Sequence, residues 1–124
     1  MDWAKLESAI GYTFKNKKIL EQAFTHRSYL NEHRDAGKEH NERLEFLGDA
    51  VLELIITQYL YQTYNDRPEG ELTSFRAAIV RTDSLAKHAR KLNYGKYLMM
   101  SKGEEATGGK DKDYLLANTY EAVL

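Results

Sequence analysis

The sequence predicts an all-α protein. Three observations carry that prediction: a single proline in 124 residues, a composition rich in the helix formers Leu, Ala, Glu and Lys, and apolar residues that recur at intervals of three and four along most of the chain. A helical domain is expected, with roughly six or seven helices wrapped around the longest one.

The elements follow in order. Asp2, Trp3, Leu6 and Ile10 have helical spacing, with Asp2 placed to cap and Gly11 to stop the pattern. Asn16 caps a second helix, whose Ile19, Leu20, Ala23 and Phe24 face inward and which runs on into Thr25-His26-Arg27-Ser28-Tyr29. Residues Asn31 to Asn41 are polar, with Gly37 near their middle, and read as an exposed loop. The longest helix runs from about Asn41 to Tyr64, where the turn chemistry of Asn65-Asp66-Arg67-Pro68-Glu69-Gly70 halts it. Glu71 to Arg81 forms the next, with Leu72, Phe75, Ala78 and Ile79 at core spacing. Thr82 or Asp83 caps Ser84 to Leu92, whose inward row is Leu85, Ala86, Ala89 and Leu92. Tyr94 to Met100 is a short apolar piece whose state the pattern leaves open, and Ser101 to Lys112, with Gly103, Gly108 and Gly109, reads as a flexible loop. Asp113 to Leu124 is helical, and no Gly, Pro or polar cap closes it, as if a longer helix or chain had been cut there.

One domain suits this length. With no cysteine, thiolate nucleophiles, thiolate zinc sites and disulfides are excluded, and a reducing, cytoplasmic setting is the simplest expectation. The start Met1-Asp2-Trp3-Ala4-Lys5 lacks the layout of a signal peptide, and no apolar run approaches a membrane span, so no membrane partner is expected. A formal net charge of −1 is not the footprint of a protein that clings to nucleic acid by charge alone. Carboxylates gathered around a metal ion, however, would leave the remaining surface more basic than that total suggests.

The long helix carries the chemistry. At about 100° per residue, Glu42, Glu45, Asp49 and Glu53 fall in one stripe, with Leu44, Leu47, Val51, Leu54 and Ile55 opposite and Phe46, Leu52, Ile56 and Leu60 among or beside the acids. A helix apolar nearly all round is normally buried, and buried carboxylates need Arg, Lys or a metal ion beside them. Glu45 and Asp49, at i and i+4, can share a hard divalent cation, although acid pairs at this spacing usually line solvated faces. Gly48 costs helix stability and so marks a place where another backbone approaches closely. Phosphodiester hydrolysis gives such a cluster a task, since Mg²⁺ on carboxylates lowers the pKa of a bound water and neutralises phosphate charge. Glu121, with Asn118 one turn before it, is the best source of further ligands; the plainer alternative is two polar residues on an amphipathic helix.

The run Asn41-Glu42-Arg43-Leu44-Glu45-Phe46-Leu47-Gly48-Asp49-Ala50-Val51-Leu52 resembles the signature of the ribonuclease III family. Family-like pieces flank it in order: Ala23 to Tyr29, Glu69 to Ala77, and Leu115 to Ala122. The resemblance covers essentially the whole chain. It implies a helical endonuclease domain, spanning 1–124 here, that works as a homodimer, cuts double-stranded RNA with Mg²⁺ (Mn²⁺ as substitute), and leaves 5′-phosphate and 3′-hydroxyl ends with short 3′ overhangs. Ribosomal and messenger RNA processing is the implied setting. By the same resemblance Glu45, Asp49 and Glu121 bind metal, Asp49 and Glu121 are catalytic, and Glu42 belongs to the substrate surroundings. Asn118 stands where the family most often has Asp; its amide oxygen can still serve a metal, with one charge fewer.

Phe46 matches a dimer-contact residue, core packing being its plainer reading, and a two-fold dimer would set two sites across one duplex. His26, Arg27, Ser28 and Arg76 are candidates for RNA contact, to phosphate or 2′-hydroxyl groups. Arg81 lies near Arg76, whereas Lys15, Lys17, Lys18, Lys87, Arg90, Lys91 and His88 read as solvated surface. The competing reading is a non-catalytic relative that binds double-stranded RNA or a ribosome, with Asn118 as its one positive sign.

Overall fold

Local capping chemistry sets the first helices. In the computed structural model, which describes residues 2–33 and 39–124, α1 spans Trp3–Ile10, the Asp2 side chain accepts from the Lys5 N–H at 3.1 Å, and Gly11 closes the helix at φ 81°. Asn16 caps α2, Lys17–Ala23. Buried Glu7 joins the two helices: its carboxylate accepts from the Phe14 N–H at 2.6 Å and from Lys17 Nζ. Trp3 lies against Phe24 and Tyr97, with ring centroids 5.6 and 5.9 Å away.

The hydrogen bond from Lys17, and then that from Phe14, hold the Glu7 carboxyl below its ordinary value of 4.5. A depressed acid stabilises the fold above its unfolded-state pKa and loses that contribution as pH falls through the folded one. Glu7→Gln is therefore expected to melt a few degrees below the unsubstituted chain at pH 7, and the gap should close in acid; a melting series from pH 7 to 3 checks this.

The second helix does not continue through Tyr29 as expected. Thr25 is fully buried, its hydroxyl donates to the Glu21 carbonyl at 2.7 Å, and its backbone forms a bridge with Met99. His26 N–H donates to Met99 O and Met99 N–H to Phe24 O, both at 2.8 Å, so this backbone is satisfied by a distant segment rather than by helix. A new helix, α3, starts at Arg27 and runs to Glu32. Gly37 of the expected loop lies outside the described residues.

The remaining elements are α4 Glu42–Thr63, α5 Glu69–Ile79, α6 Thr82–Lys91, α7 Tyr94–Tyr97, α8 Lys102–Ala106, a 3₁₀ turn Gly109–Asp111, and α9 Asp113–Val123. The main core gathers Leu6, Leu20, Phe24, Ala86, Ala89, Tyr94, Tyr97, Leu115 and Leu116, and a smaller one joins Leu52, Leu85 and Ala117. The expected inward row of α6 holds, with Leu85, Ala86 and Ala89 buried.

Four further expectations are corrected. The helix at the centre is α9, packed between α4 and α6, with Leu115, Leu116, Ala117, Thr119, Glu121 and Ala122 buried. Helix α4, expected to be buried, covers only Gly48, Leu52 and Leu60; α9 and the elements beside it reach one side, and Leu54 on the other is 68% exposed. Likewise α5 buries no residue completely, and its Phe75 and Ile79 remain exposed. Finally, Ser101 to Lys112 is ordered rather than a flexible loop. Ser101 Oγ accepts from Glu104 N–H, Lys112 Nζ reaches Glu104 at 2.9 Å, and a Cβ on buried Gly109 would lie 2.7 Å from the Glu104 carbonyl. Here glycine permits close packing rather than mobility.

Candidate active site

The site begins at a backbone contact. A Cβ built on Gly48 would stand 1.7 Å from the carbonyl oxygen of Glu121, so α4 and α9 touch at their main chains, as the glycine's position in the sequence implies. That contact sets Asp49 and Glu45 of α4 beside Glu121 of α9. Together with Glu42 and Phe46 they line a hollow of about 410 Å³.

Glu121 is only 9% exposed. Burial first, then a hydrogen bond with Asp49 and the charges of Asp49, Glu45 and Glu53, push its carboxyl up to about 8. Burial, with Glu42 and Asp49 adding repulsion, also raises Glu45. No basic side chain among the described residues forms an ion pair with Glu45, Asp49 or Glu121; the nearest such pair joins Arg27 to Glu42 at 3.6 Å, both exposed. Carboxylate oxygens from two helices without a basic partner have the donor chemistry of a hard divalent-cation site. The cage is not drawn in, for among the described residues no three His, Asp or Glu side chains already stand close enough to hold an ion.

A second hollow, about 380 Å³, adjoins the first and shares Glu42 and Glu45 with it. Here the structure brings together His26, Arg27, Ser28, Glu42 and Asn118. Asn118 thus faces Glu45 from this side rather than joining Glu121 and Asp49 in the first hollow. Burial holds the His26 imidazole below its ordinary value. Asn41 lies buried at this wall; instead of capping α4, its amide donates to the Ala23 carbonyl at 3.0 Å.

Arg76 is not part of either hollow. Its guanidinium donates to Thr57 Oγ1 at 2.9 Å and lines a separate cleft between α4 and α5, while Arg81 pairs with Asp83. Phe46 is 83% exposed, which removes core packing within the chain as its role.

Sequence reasoning missed Glu104. It lines the second hollow from α8, and its carboxyl is held low by the hydrogen bond from Lys112. The signal was present in Ser101-Lys102-Gly103-Glu104, whose Ser-x-x-Glu spacing is that of a capping box and so of a helix start.

Among the described residues this is a helical domain whose longest and most central helices meet at a glycine and there oppose their carboxylates across a solvent-facing hollow. The particular family is shown by comparison. The model of the Ribonuclease-III-like family matches residues 16–124. Ribonuclease 3 of Oceanobacillus iheyensis is 52% identical over 124 residues, 100% of this chain and 54% of that protein. Ribonuclease 3 of Enterococcus faecalis is 54% identical over 120 residues, 97% of this chain and 52% of that protein. The crystal structure of the nuclease domain of ribonuclease III from Campylobacter jejuni superposes with a TM-score of 0.89 at 43% identity, covering 98% of this chain and 79% of that one. A second structure of that domain, TM-score 0.88 and 44% identity over 96% of this chain and 79% of that one, concerns flexibility in a region involved in its dimer formation. The chain belongs to the ribonuclease III family, and it spans about half the length of the curated relatives it matches.

Proposed function

We propose that this chain is the nuclease part of an endoribonuclease that hydrolyses phosphodiester bonds of double-stranded RNA with Mg²⁺, or Mn²⁺ in its place, giving 5′-phosphate and 3′-hydroxyl ends. The observation that carries this reading is the meeting of Glu45 and Asp49 with buried Glu121 across the Gly48 contact. Glu45, Asp49 and Glu121 would hold the ion, and Asn118, which lines the adjoining hollow with Glu45, would lend its amide oxygen to the set. When bound, the metal supplies activation of water and neutralisation of charge on the phosphate.

The residues supply placement. Burial and the neighbouring acids oppose the ionisation of Glu121, so its carboxyl must give up its proton before it can act as a ligand. Asp49 is the exposed member and is assigned the contact with the reacting phosphate side. Glu42 and Arg27, paired at the rim, border the neighbouring hollow where the duplex would continue. Following its family, the protein is assigned to ribosomal and messenger RNA processing in the cytoplasm.

Incubating the purified chain with perfectly paired RNA and Mg²⁺ tests the reading. Staggered products are expected, and Glu45→Gln should lower their rate by about a hundredfold or more, roughly 3 kcal/mol of transition-state stabilisation. A folded dimer that binds the duplex without cutting it would instead establish the non-catalytic relative, a reading favoured by one feature, Asn118 in place of the charged ligand. Cleavage gained in Asn118→Asp would then locate the defect.

A homodimer is the second part of the proposal. Phe46 is uncovered beside the acids, and Leu47, Leu54 and Ile55 are uncovered farther round α4, an apolar surface that a second copy can bury. Phe46→Ala should weaken self-association by roughly thirtyfold, the effect of an aromatic anchor lost from an interface. Sedimentation equilibrium measures this, and an unchanged dimer constant would remove Phe46 from the interface.

A further inference from the structure

His26 is held by a chain of hydrogen bonds that fixes where its proton sits. Its Nδ1 accepts from the Ser28 backbone N–H at 3.2 Å, so that nitrogen carries a lone pair and no hydrogen. The Ser28 hydroxyl lies 2.7 Å from the same Nδ1 and accepts from the Ser101 N–H at 2.9 Å. With the Ser28 backbone N–H contact taken as the one that sets the tautomer, the Ser28 hydroxyl gives its hydrogen to the same Nδ1 lone pair and the neutral ring has its proton on Nε2. No described residue accepts from Nε2, and the ring lines the second hollow.

The same hollow holds three carboxylates, Glu42 and Glu45 on α4 and Glu104 on α8; Arg27 is engaged with Glu42 and Lys112 with Glu104, which leaves Glu45 without a basic partner among the described residues. A phosphate oxygen only accepts, so it could take the Nε2–H but would gain nothing from the unpaired Glu45 carboxylate that lines the same hollow. A hydroxyl fits both demands, since it can accept from Nε2–H and donate to a carboxylate or to the Asn118 amide oxygen. Among the groups of an RNA duplex the ribose 2′-hydroxyl has that character, and it lines the shallow groove that proteins reach.

We propose that the hollow between α3, α4, α8 and α9 is a ribose subsite in which His26 Nε2–H donates to a 2′-hydroxyl, and that Ser28, tied to Ser101, is the positioning residue that fixes the His26 tautomer. The inference rests on the nuclease reading and sharpens it: one sugar beside the acid cluster is read as RNA. It also removes the Ser28 hydroxyl as a donor to RNA, because its hydrogen is spent on Nδ1.

The test walks a single 2′-deoxy substitution through a paired RNA substrate while kcat/KM is measured. For the unsubstituted chain, one position near the cut should lose about tenfold, the size of one hydrogen bond. In His26→Phe the all-RNA duplex should lose about tenfold and the penalty at that position should fall within about twofold of unity, because the interaction is already absent. His26→Gln, which keeps an N–H donor, should recover part of both. Circular dichroism and melting confirm that each variant is folded. Independently of any cleavage, imidazole nitrogen shifts should show Nδ1 bare and Nε2 protonated, and Ser28→Ala should lose that pattern along with the positional penalty. A proton on Nδ1, or a positional penalty that survives in His26→Phe, would overturn the subsite while leaving the nuclease reading intact. Failure of the unsubstituted chain to bind or cut any duplex overturns both.

Discussion

Gly48→Ala is expected to do more damage than any other single methyl group added to this protein. The new Cβ would stand 1.7 Å from Glu121 O and 2.5 Å from Glu121 C, backbone atoms of a buried helix that no rotamer change can move. Relief requires α4 and α9 to separate by more than an ångström along the contact that holds the centre of the fold. A cost of roughly 3 kcal/mol or more follows, and a fall in melting temperature on the order of 10 °C. Activity should fall further than stability explains. The same displacement carries Asp49 and Glu45 away from Glu121, and misplacing reacting groups by about 1 Å costs on the order of a hundredfold. Gly70→Ala is the control: nothing lies within 4 Å of its Cβ, it sits in exposed α5, and alanine there should be neutral or slightly stabilising. A Gly48→Ala protein that melts within a degree or two of the unsubstituted chain and cuts RNA normally would disprove the backbone contact.

That glycine also shows what a sequence can disclose. A helix formed of Glu45-Phe46-Leu47-Gly48-Asp49 carries its penalty in plain view, and the only local use for it is a close approach, so the contact was legible although its partner was not. The grouping of Glu45 with Asp49 was legible for the same reason, being a property of one helix. What lay hidden were choices between faces. Helix α4 is apolar nearly all round, so its pattern cannot say which side the chain itself covers, and the central place fell to α9, whose Leu115, Leu116 and Ala122 look no more buried in the sequence than Leu54 or Ile55. Thr25 breaks a good helical period because its backbone pairs with Met99, a residue far along the chain. Three glycines made Ser101 to Lys112 resemble a loop, yet Gly109 is there so that Glu104 and Met100 can pack against its Cα. Each miss concerns a tertiary partner, which periodicity does not encode.

Glu121→Gln is expected to separate stability from function in opposite directions. Burial and the neighbouring acids push the carboxyl of Glu121 up to about 8 in the folded protein against 4.5 for an ordinary glutamate. For an acid raised in this way the folded state binds the proton more tightly than the unfolded chain, so ionisation works against folding. The penalty is absent below about pH 4.5, grows as pH rises between the two values, and is complete above about 8. Glutamine imitates the protonated acid, and its amide N–H can still donate to Asp49. In metal-free buffer at pH 8.5 the variant should therefore be more stable than the unsubstituted chain by about 2 kcal/mol, roughly 5 °C in melting temperature, and the two should coincide near pH 4.5. Adding Mg²⁺ should reverse the order. The unsubstituted chain gains stability because ligand binds only its folded form, while the variant lacks one of the carboxylates assigned to the ion and should gain little. Its cleavage rate should drop about a thousandfold, roughly 4 kcal/mol of transition-state stabilisation. An equal Mg²⁺ shift in both proteins would remove Glu121 from the ligand set. Loss of stability at high pH on substitution would show that its charge is already neutralised by a basic group, and the acid cluster would then have no call for a cation.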